Sequence, residues 1–152
     1  MCKKQYETYP EMKSRHQKDF DTFPIMFAFS NKQFDEGMIK LGLKPEDTDK
    51  IVRLGSTGGY IRKTDSDELS NIFTQHENDM NKAIENDTTG EGFVYSMFRY
   101  ELANHEYVVS MCYEDTLNVL GYSIDDINNN PKLLKGLAKA TKDYLKACNE
   151  HN

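Results

Sequence analysis

The chain has 152 residues, of which 38% are hydrophobic and 29% are charged, and its formal net charge is −6 at pH 7. This length is typical of one domain, and the 9 Tyr, 8 Phe and 7 Met residues supply enough apolar surface for a core, which excludes a wholly disordered chain. No apolar run approaches the roughly 20 residues that span a bilayer, and the first residues lack the apolar stretch of a secretion signal. We therefore expect one cytoplasmic domain over residues 1–152, without membrane contact, in which residues 1–10 form a loosely ordered extension.

The first part of the chain is predicted to form a helix, a strand and a second helix. Apolar side chains recur every four residues over residues 11–22, which is typical of one helix face, and Pro24 ends this helix. The apolar run at residues 25–29 favours a buried strand. Ser30 and Gln33 have the spacing of a capping box, so we expect the second helix to begin there.

Two further strands are predicted on either side of a glycine-rich connection. Residues 51–54 and 60–63 flank the segment Gly-Ser-Thr-Gly-Gly at 55–59. A hairpin turn that needs positive φ angles explains these glycines. The same loop could also present N–H groups to an anion beside Arg62, although it lacks the residue order of a phosphate-binding loop.

The rest of the chain is predicted to be mainly helical. Residues 65–86 have an apolar stripe on one face and acidic residues on the other, and residues 93–103 are apolar almost all round, which indicates a central buried helix. Residues 107–111 favour another strand, and Pro131 is a suitable first residue for the last helix. We therefore expect a mainly helical α+β domain with a central buried helix and an antiparallel sheet of two or three strands.

Charge is strongly segregated along the chain. Residues 1–18 and 131–152 each have a net charge of +3, whereas residues 64–130 have a net charge of −12. Such a segment repels phosphate backbones and attracts cationic surfaces. It is either a solvated face that maintains solubility or a docking surface for a basic protein partner. The acidic residues of this candidate surface are Asp65, Asp67, Glu68, Glu77, Asp79, Glu85, Asp87 and Glu91.

A second candidate site combines the glycine-rich loop with a histidine and two glutamates. Glu101 and His105 are four residues apart, a spacing that places both side chains on one helix face. The alternative is structural, because glycines suit a turn and a histidine near a helix end interacts favourably with the dipole. The residues of this possible ligand site are Gly58, Gly59, Arg62, Glu101, His105 and Glu106.

The sequence contains no metal or cofactor motif. Cys2, Cys112 and Cys148 are scattered, so they provide neither a disulfide framework nor the paired spacing of a zinc site. His76 lies on the apolar stripe of the 65–86 helix, which is typical of a core histidine with a hydrogen-bond partner. We therefore expect no metal ion, no cofactor and no assignable catalytic residue.

Five lysines recur along one face of the last predicted helix. Such a stripe could bind anionic groups, lie against the acidic middle of the same chain or remain solvated. The acidic net charge opposes direct nucleic-acid binding. The lysines are Lys132, Lys135, Lys139, Lys142 and Lys146.

Several segments together resemble a known group of sequences. They are FAFSNKQF at 27–34, GGYIRK at 58–63, GEGFVYSMFRYELANHEY at 90–107, EDTL at 114–117 and LGY at 120–122. The resemblance is to a family of small uncharacterised proteins carried by conjugative elements, plasmids and phages of Gram-positive gut bacteria. That family has no established activity, so the resemblance implies accessory cargo of mobile DNA in a bacterial cell and no catalytic residue.

These observations favour a non-catalytic acidic binding protein of a mobile genetic element. One form of this hypothesis is an inhibitor of a host defence nuclease, of the anti-CRISPR or anti-restriction type, whose carboxylates mimic nucleic-acid phosphates. A small enzyme or ligand-binding domain at the glycine-rich loop and Glu101/His105 is the alternative. A nucleic-acid accessory protein that uses the lysine stripe is a second alternative. The sequence does not indicate an oligomeric state.

Overall fold

The structure, a computed structural model, describes residues 6–150. These residues are mainly helical with one three-stranded antiparallel sheet, which confirms the predicted α+β class. The chain divides into two compact units, residues 16–78 and residues 1–15 together with 79–152. The single domain stays a prediction. Of the predicted N-terminal extension, residues 1–5 lie outside the described residues, and Tyr9 is a buried residue of the first helix.

The described residues form eight α-helices and three strands. The helices are α1 Tyr9–Asp21, α2 Asn31–Lys40, α3 Ser66–Asn86, α4 Phe93–Asn104, α5 Tyr107–Ser110, α6 Glu114–Leu120, α7 Ile124–Asn128 and α8 Pro131–Glu150. The strands are β1 Met26–Phe27, β2 Ile51–Arg53 and β3 Gly59–Arg62. The boundary between the two units falls within α1 and within α3.

The unit of residues 16–78 is built around the sheet, whose strand order is β1-β3-β2. Alternate side chains of a strand point to opposite faces, and both faces of this sheet are covered. Met26 packs with Met38 of α2 on one face, and Ile61 packs with Leu69 of α3 in a second cluster. Burial on both sides explains why such short strands are stable in this unit.

The first strand is shorter than the predicted segment of residues 25–29. Ser30 caps α2 by accepting the N–H of Gln33 at 3.2 Å, as the capping box predicts. The Gln33 side chain instead accepts the N–H of Phe29 at 2.8 Å. The Ala28 N–H still donates to the carbonyl oxygen of Gly58 at 3.0 Å, and the residues that follow form the cap of α2, so β1 has only two residues.

The paired glycines of the hairpin connection have a structural role. Gly58 has a φ of +80°, and a Cβ there would lie 2.5 Å from the ring of Phe29. A Cβ on Gly59 would lie 3.1 Å from the ring of Phe27. The positive φ of Gly58 requires glycine, as the hairpin interpretation expects, whereas Gly59 has no positive φ and only a close contact with Phe27.

The other unit is organised around α4, whose inward side chains are fully buried. Phe93, Val94 and Met97 are at most 2% exposed, which confirms the predicted central helix. This helix packs against α8, where Gly136 permits a close approach. A Cβ on Gly136 would lie 2.6 Å from Cγ1 of Val94.

The predicted strand at residues 107–111 is wrong, since this segment contains the one-turn helix α5. Glu106 and Met111 flank it with φ angles of 50° and 53°. Tyr107 is buried and stacks on Tyr113 with ring centroids 4.7 Å apart. This turn anchors Tyr107 in the core but leaves Val109 78% exposed, an arrangement that apolar composition alone does not distinguish from a strand.

Candidate functional site

The loop between α3 and α4 is organised by the carboxylate of Asp87. Its two oxygens accept N–H bonds from Thr89, Gly90, Gly92 and Val94 at 3.0–3.3 Å. Burial alone would raise the pKa of Asp87, but these four bonds outweigh it and lower the pKa below its usual value. Asp87 is therefore a structural anion of the loop as well as a member of the candidate acidic surface.

A cleft of about 660 Å³ lies beside this loop, within the unit of residues 1–15 and 79–152. Met12 and Phe93 contribute apolar surface to its lining. Its charged lining comprises four carboxylates and two cations, and this excess of negative charge favours a cationic ligand. These charged residues are Glu7, Asp79, Asp87, Glu91, Arg15 and Lys82.

The guanidinium of Arg15 connects two acidic residues of the cleft lining. It donates from Nε and Nη2 to the two carboxylate oxygens of Glu7, both at 2.9 Å, and from Nη1 to Asp79 at 3.2 Å. Two parallel bonds to one carboxylate form the bidentate geometry that guanidinium groups prefer. The cleft therefore already binds one cationic side chain of its own chain.

Glu91 lies at the edge of the cleft and faces two lysines of the last helix. Its carboxylate oxygens are 3.9 Å from Nζ of Lys135 and of Lys139. Lys132 of the same stripe donates to the carbonyl oxygen of Ile84 at 2.6 Å. Three of the five predicted stripe lysines thus interact with the segment 64–130, which is the intramolecular interpretation of the stripe.

The structure places the remaining predicted acids in different surroundings. Asp65 accepts a hydrogen bond from Nε of Arg62 at 2.7 Å, so both residues are engaged locally. Four others are exposed and have no ion pair within residues 6–150. These four are Asp67, Glu68, Glu77 and Glu85.

The residues of the predicted ligand site are not brought together within either unit. Gly58, Gly59 and Arg62 belong to the unit of residues 16–78, whereas Glu101, His105 and Glu106 belong to the other. Arg62 also donates to the carbonyl oxygen of Leu41 at 3.4 Å. The loop glycines and Arg62 therefore have structural partners of their own.

Glu101 is an unusual residue of α4, because its side chain is completely buried. Oε1 accepts a long bond from Asn104 at 3.5 Å and lies 3.9 Å from Nζ of Lys13. Oε2 has no hydrogen-bond partner among the described residues, and neither has the buried Nε2 of His105. Glu106 is exposed, so the three residues do not form a complete catalytic set.

His76 has the partner that its position predicts. Its Nε2 lies 2.8 Å from Oδ2 of Asp19, and its ring stacks on that of His16 with centroids 3.7 Å apart. Across residues 6–150, no group of three or more His, Cys, Asp or Glu side chains is arranged to hold a metal ion. No helix in the same range is both long and apolar enough to cross a membrane.

Sequence reasoning missed the N-terminal contribution to the cleft. Glu7 and Arg15 lie in the basic first segment, and Arg15 is 64 residues from Asp79. An ion pair at such a distance in sequence leaves no local pattern, since periodicity and capping report only on neighbouring residues. Only a comparison of covarying positions could have identified this pair.

Comparison with known proteins identifies a family for this chain. No curated protein and no solved structure matches the chain significantly. A family model matches residues 8–143, which include nearly all the described helices and the whole sheet. The chain therefore belongs to the family described as Family of unknown function (DUF7659).

Proposed function

We propose that the protein is a non-catalytic binding protein that receives a cationic side chain of a basic protein partner in its acidic cleft. The observation that carries this proposal is Arg15, whose guanidinium is held by Glu7 and Asp79 within the cleft. A cleft that binds a guanidinium of its own chain has the chemistry to bind one from a partner. Arg15 is 48% exposed and Glu7 is 34% exposed, so a partner can reach this ion pair from solvent.

The exposed acids of α3 would contribute the long-range part of this interaction. Glu77 and Glu85 have no ion pair in the described part of the chain, so their charges are not neutralised locally. Unpaired charges of one sign steer an oppositely charged surface and raise the association rate. We therefore expect them to affect the rate of association more than the lifetime of the complex.

The specific form of the proposal is an inhibitor encoded by a mobile genetic element, acting on a host defence nuclease in the bacterial cytoplasm. Its carboxylates would occupy a groove in which the nuclease otherwise binds phosphates. The resemblance to proteins of conjugative elements, plasmids and phages supports this setting. The acidic segment at residues 64–130 supports the charge mimicry.

A surrogate for the basic surface tests the cleft directly. We expect a fluorescent hexa-arginine peptide to bind the protein, and the variant Asp79→Asn with Glu91→Gln to bind about tenfold more weakly, equivalent to about 1.4 kcal/mol. The matched control is Asp35→Asn with Glu36→Gln, which removes two exposed acids of α2. Equal loss in both variants would show that the peptide responds to net charge only and would contradict the cleft proposal.

Capture from a bacterial host lysate tests the identity of the partner. We expect the protein to retain a nucleic-acid-binding enzyme that is released by rising salt and by competing DNA, since mimicry requires both properties. The variant Glu77→Lys with Glu85→Lys should retain much less of it. A complex that resists both salt and DNA would contradict charge mimicry.

A second candidate, a small ligand-binding domain or enzyme, retains support at one end of α4. The unpartnered buried atoms of Glu101 and His105 favour it, because such atoms are costly unless they serve a ligand or a reaction. A change in tyrosine fluorescence on screening small cations and anions would test it.

The alternative of a nucleic-acid accessory protein depends on exposed lysines of α8. Lys142 and Lys146 are exposed and make none of the contacts that Lys132, Lys135 and Lys139 make with the segment 64–130. An anisotropy assay with labelled DNA at low salt tests this alternative.

A further inference from the structure

The ammonium group of Lys13 lies beside two tyrosine rings and a carboxylate. Its Nζ lies 5.4 Å from the ring centroid of Tyr9 and 5.3 Å from that of Tyr100. The two ring centroids are 5.6 Å apart with an interplanar angle of 57°. Oε1 of Glu101 is 3.9 Å from the same nitrogen. Tyr9, Tyr100 and Glu101 therefore form a cation cage, and none of them lines the acidic cleft.

Glu101 contributes one ion pair and one unused acceptor atom to the cage. Glu101 is 0% exposed, so a positive charge beside it is needed to offset the cost of burying its carboxylate. Its Oε2, however, accepts no hydrogen bond from the residues that the structure describes. The Tyr9 phenol interacts with this carboxylate, but no donor lies within hydrogen-bond distance of Oε2, so this buried oxygen can accept a ligand N–H group.

Lys13 itself is held loosely in this cage. At 3.9 Å its contact with Oε1 is longer than a charge-assisted hydrogen bond of about 2.7–2.9 Å. Its side chain is 42% exposed, whereas Tyr9 is only 5% exposed. The lysine stem is flexible and its ammonium gains from hydration, so Lys13 can leave without moving the buried walls of the cage.

The charge of the cage selects the ligand class. Burial, and then the negative charge of Glu101, raise the pKa of the Tyr9 phenol above its usual range, so this wall stays neutral. Without Lys13, the cage therefore offers the Glu101 carboxylate and the faces of two aromatic rings. Cation–π attraction and a carboxylate acceptor together favour an ammonium that retains N–H donors.

We propose that Tyr9, Tyr100 and Glu101 form an exchangeable alkylammonium site, in which Lys13 is the internal occupant and an external primary ammonium takes its place. The external group is supplied by a free polyamine or by a lysine side chain of a protein, which share this chemistry. Exchange of one ammonium for another preserves the charge balance of Glu101. Lys13 thereby sets the threshold concentration at which an external amine occupies the site.

The test compares the wild-type protein with Lys13→Ala, with methylammonium as the probe and calorimetry and tyrosine resonances as the readouts. We expect Lys13→Ala to bind methylammonium at least about tenfold more tightly than the wild type, because the internal competitor is absent. Tetramethylammonium should bind more weakly, since it offers no N–H to Oε2. Lys18→Ala, an exposed lysine of the same helix, should bind as the wild type does.

Two further variants test the walls of the cage. In the Lys13→Ala background, Glu101→Gln should abolish binding of methylammonium. If that variant fails to fold, Tyr100→Leu changes a partly exposed wall and should weaken binding severalfold. Equal affinity in the wild type and in Lys13→Ala, or binding unaffected by both wall variants, would overturn the proposal.

Two ligands distinguish the source of the ammonium. Spermidine represents the free polyamines, and Nα-acetyl-lysine methylamide represents a protein side chain. A preference for spermidine that survives 150 mM salt assigns the site to polyamines, whereas equal or better binding of the lysine derivative assigns it to a protein ligand. Binding of neither to Lys13→Ala would contradict the proposal.

Discussion

The Asp87 carboxylate accepts hydrogen bonds from four backbone N–H groups of the loop that follows it. Those bonds begin with Thr89 and reach Val94 in the first turn of α4. A neutral side chain cannot reproduce this arrangement, because an amide has only one acceptor oxygen. The stability of the loop between α3 and α4 therefore depends on a residue that composition and spacing mark only as one acid among many.

Replacement of Asp87 by Asn should lower the free energy of unfolding by about 2 kcal/mol, since N–H groups bonded to a charged acceptor lose their partners. Urea unfolding followed by circular dichroism measures this change. Asp35→Asn, an exposed acid of α2, serves as the control and should stay within about 0.5 kcal/mol of the wild type. A smaller effect of Asp87→Asn than of the control would contradict the anchoring role.

The same carboxylate predicts a pH dependence. The pKa of Asp87 in the folded protein is below its ordinary value of 3.8, so its ionised form stabilises the folded state. This contribution is complete above the ordinary pKa and is lost as the pH falls through the lower, folded value. The difference in unfolding free energy between the wild type and Asp87→Asn should therefore shrink between about pH 5 and the acid limit. A difference independent of pH would exclude this assignment.

At the scale of elements, the packing of α4 against α8 depends on a residue without a side chain. Gly136 lies where a Cβ would be 2.6 Å from Val94 and 2.7 Å from the carbonyl oxygen of Gly90. In an open helix, replacement of Gly by Ala stabilises by about 1 kcal/mol through helix propensity. Here the clash opposes that gain, and the carbonyl belongs to the loop that Asp87 organises.

Gly136→Ala should therefore destabilise the protein by about 1–3 kcal/mol, because an added methyl group overpacks this contact. Thermal unfolding gives the sign of the change directly. Lys142→Ala, on an exposed position of the same helix, should be nearly neutral or slightly stabilising. A rise in melting temperature for Gly136→Ala would show that α8 shifts to accommodate the methyl group.

At the scale of the whole molecule, the acidic segment is partly neutralised by residues from both basic ends of the chain. Arg15 binds Asp79, and the lysines at positions 135 and 139 face Glu91. Because of these ion pairs, the negative field is smaller than the formal charge of the segment suggests. The exposed acids of α3 contribute most of what remains. Charge mimicry, as proposed above, therefore depends on fewer carboxylates than the sequence contains.

The lysines that face Glu91 predict a variant that binds the basic peptide more tightly than the wild type does. Lys135→Ala with Lys139→Ala removes the cations that face Glu91, so the cleft becomes more negative and should bind the hexa-arginine peptide about threefold more tightly at low salt. Lys142→Ala with Lys146→Ala removes the same charge elsewhere on α8 and should have a smaller effect. Equal gains in the two variants would indicate a general effect of net charge.

Local patterns predicted much of the fold, whereas the site depends on contacts between distant residues. The Ser30 cap, Pro131 at the start of α8 and the apolar α4 are each specified by residues close in sequence. The helix at 107–110 was missed because its apolar residues fit a strand equally well. The clefts and cages of the molecule require pairs such as Arg15 with Asp79, for which the sequence provides no local signal.

The position of Tyr6 in the lining of the cleft has a practical consequence for the experiments above. Tyr6 is 43% exposed, so a ligand that enters the cleft would change its fluorescence. A change in the tyrosine fluorescence of the wild type therefore does not by itself place a ligand beside Glu101. The same screen with Tyr6→Leu separates the two sites.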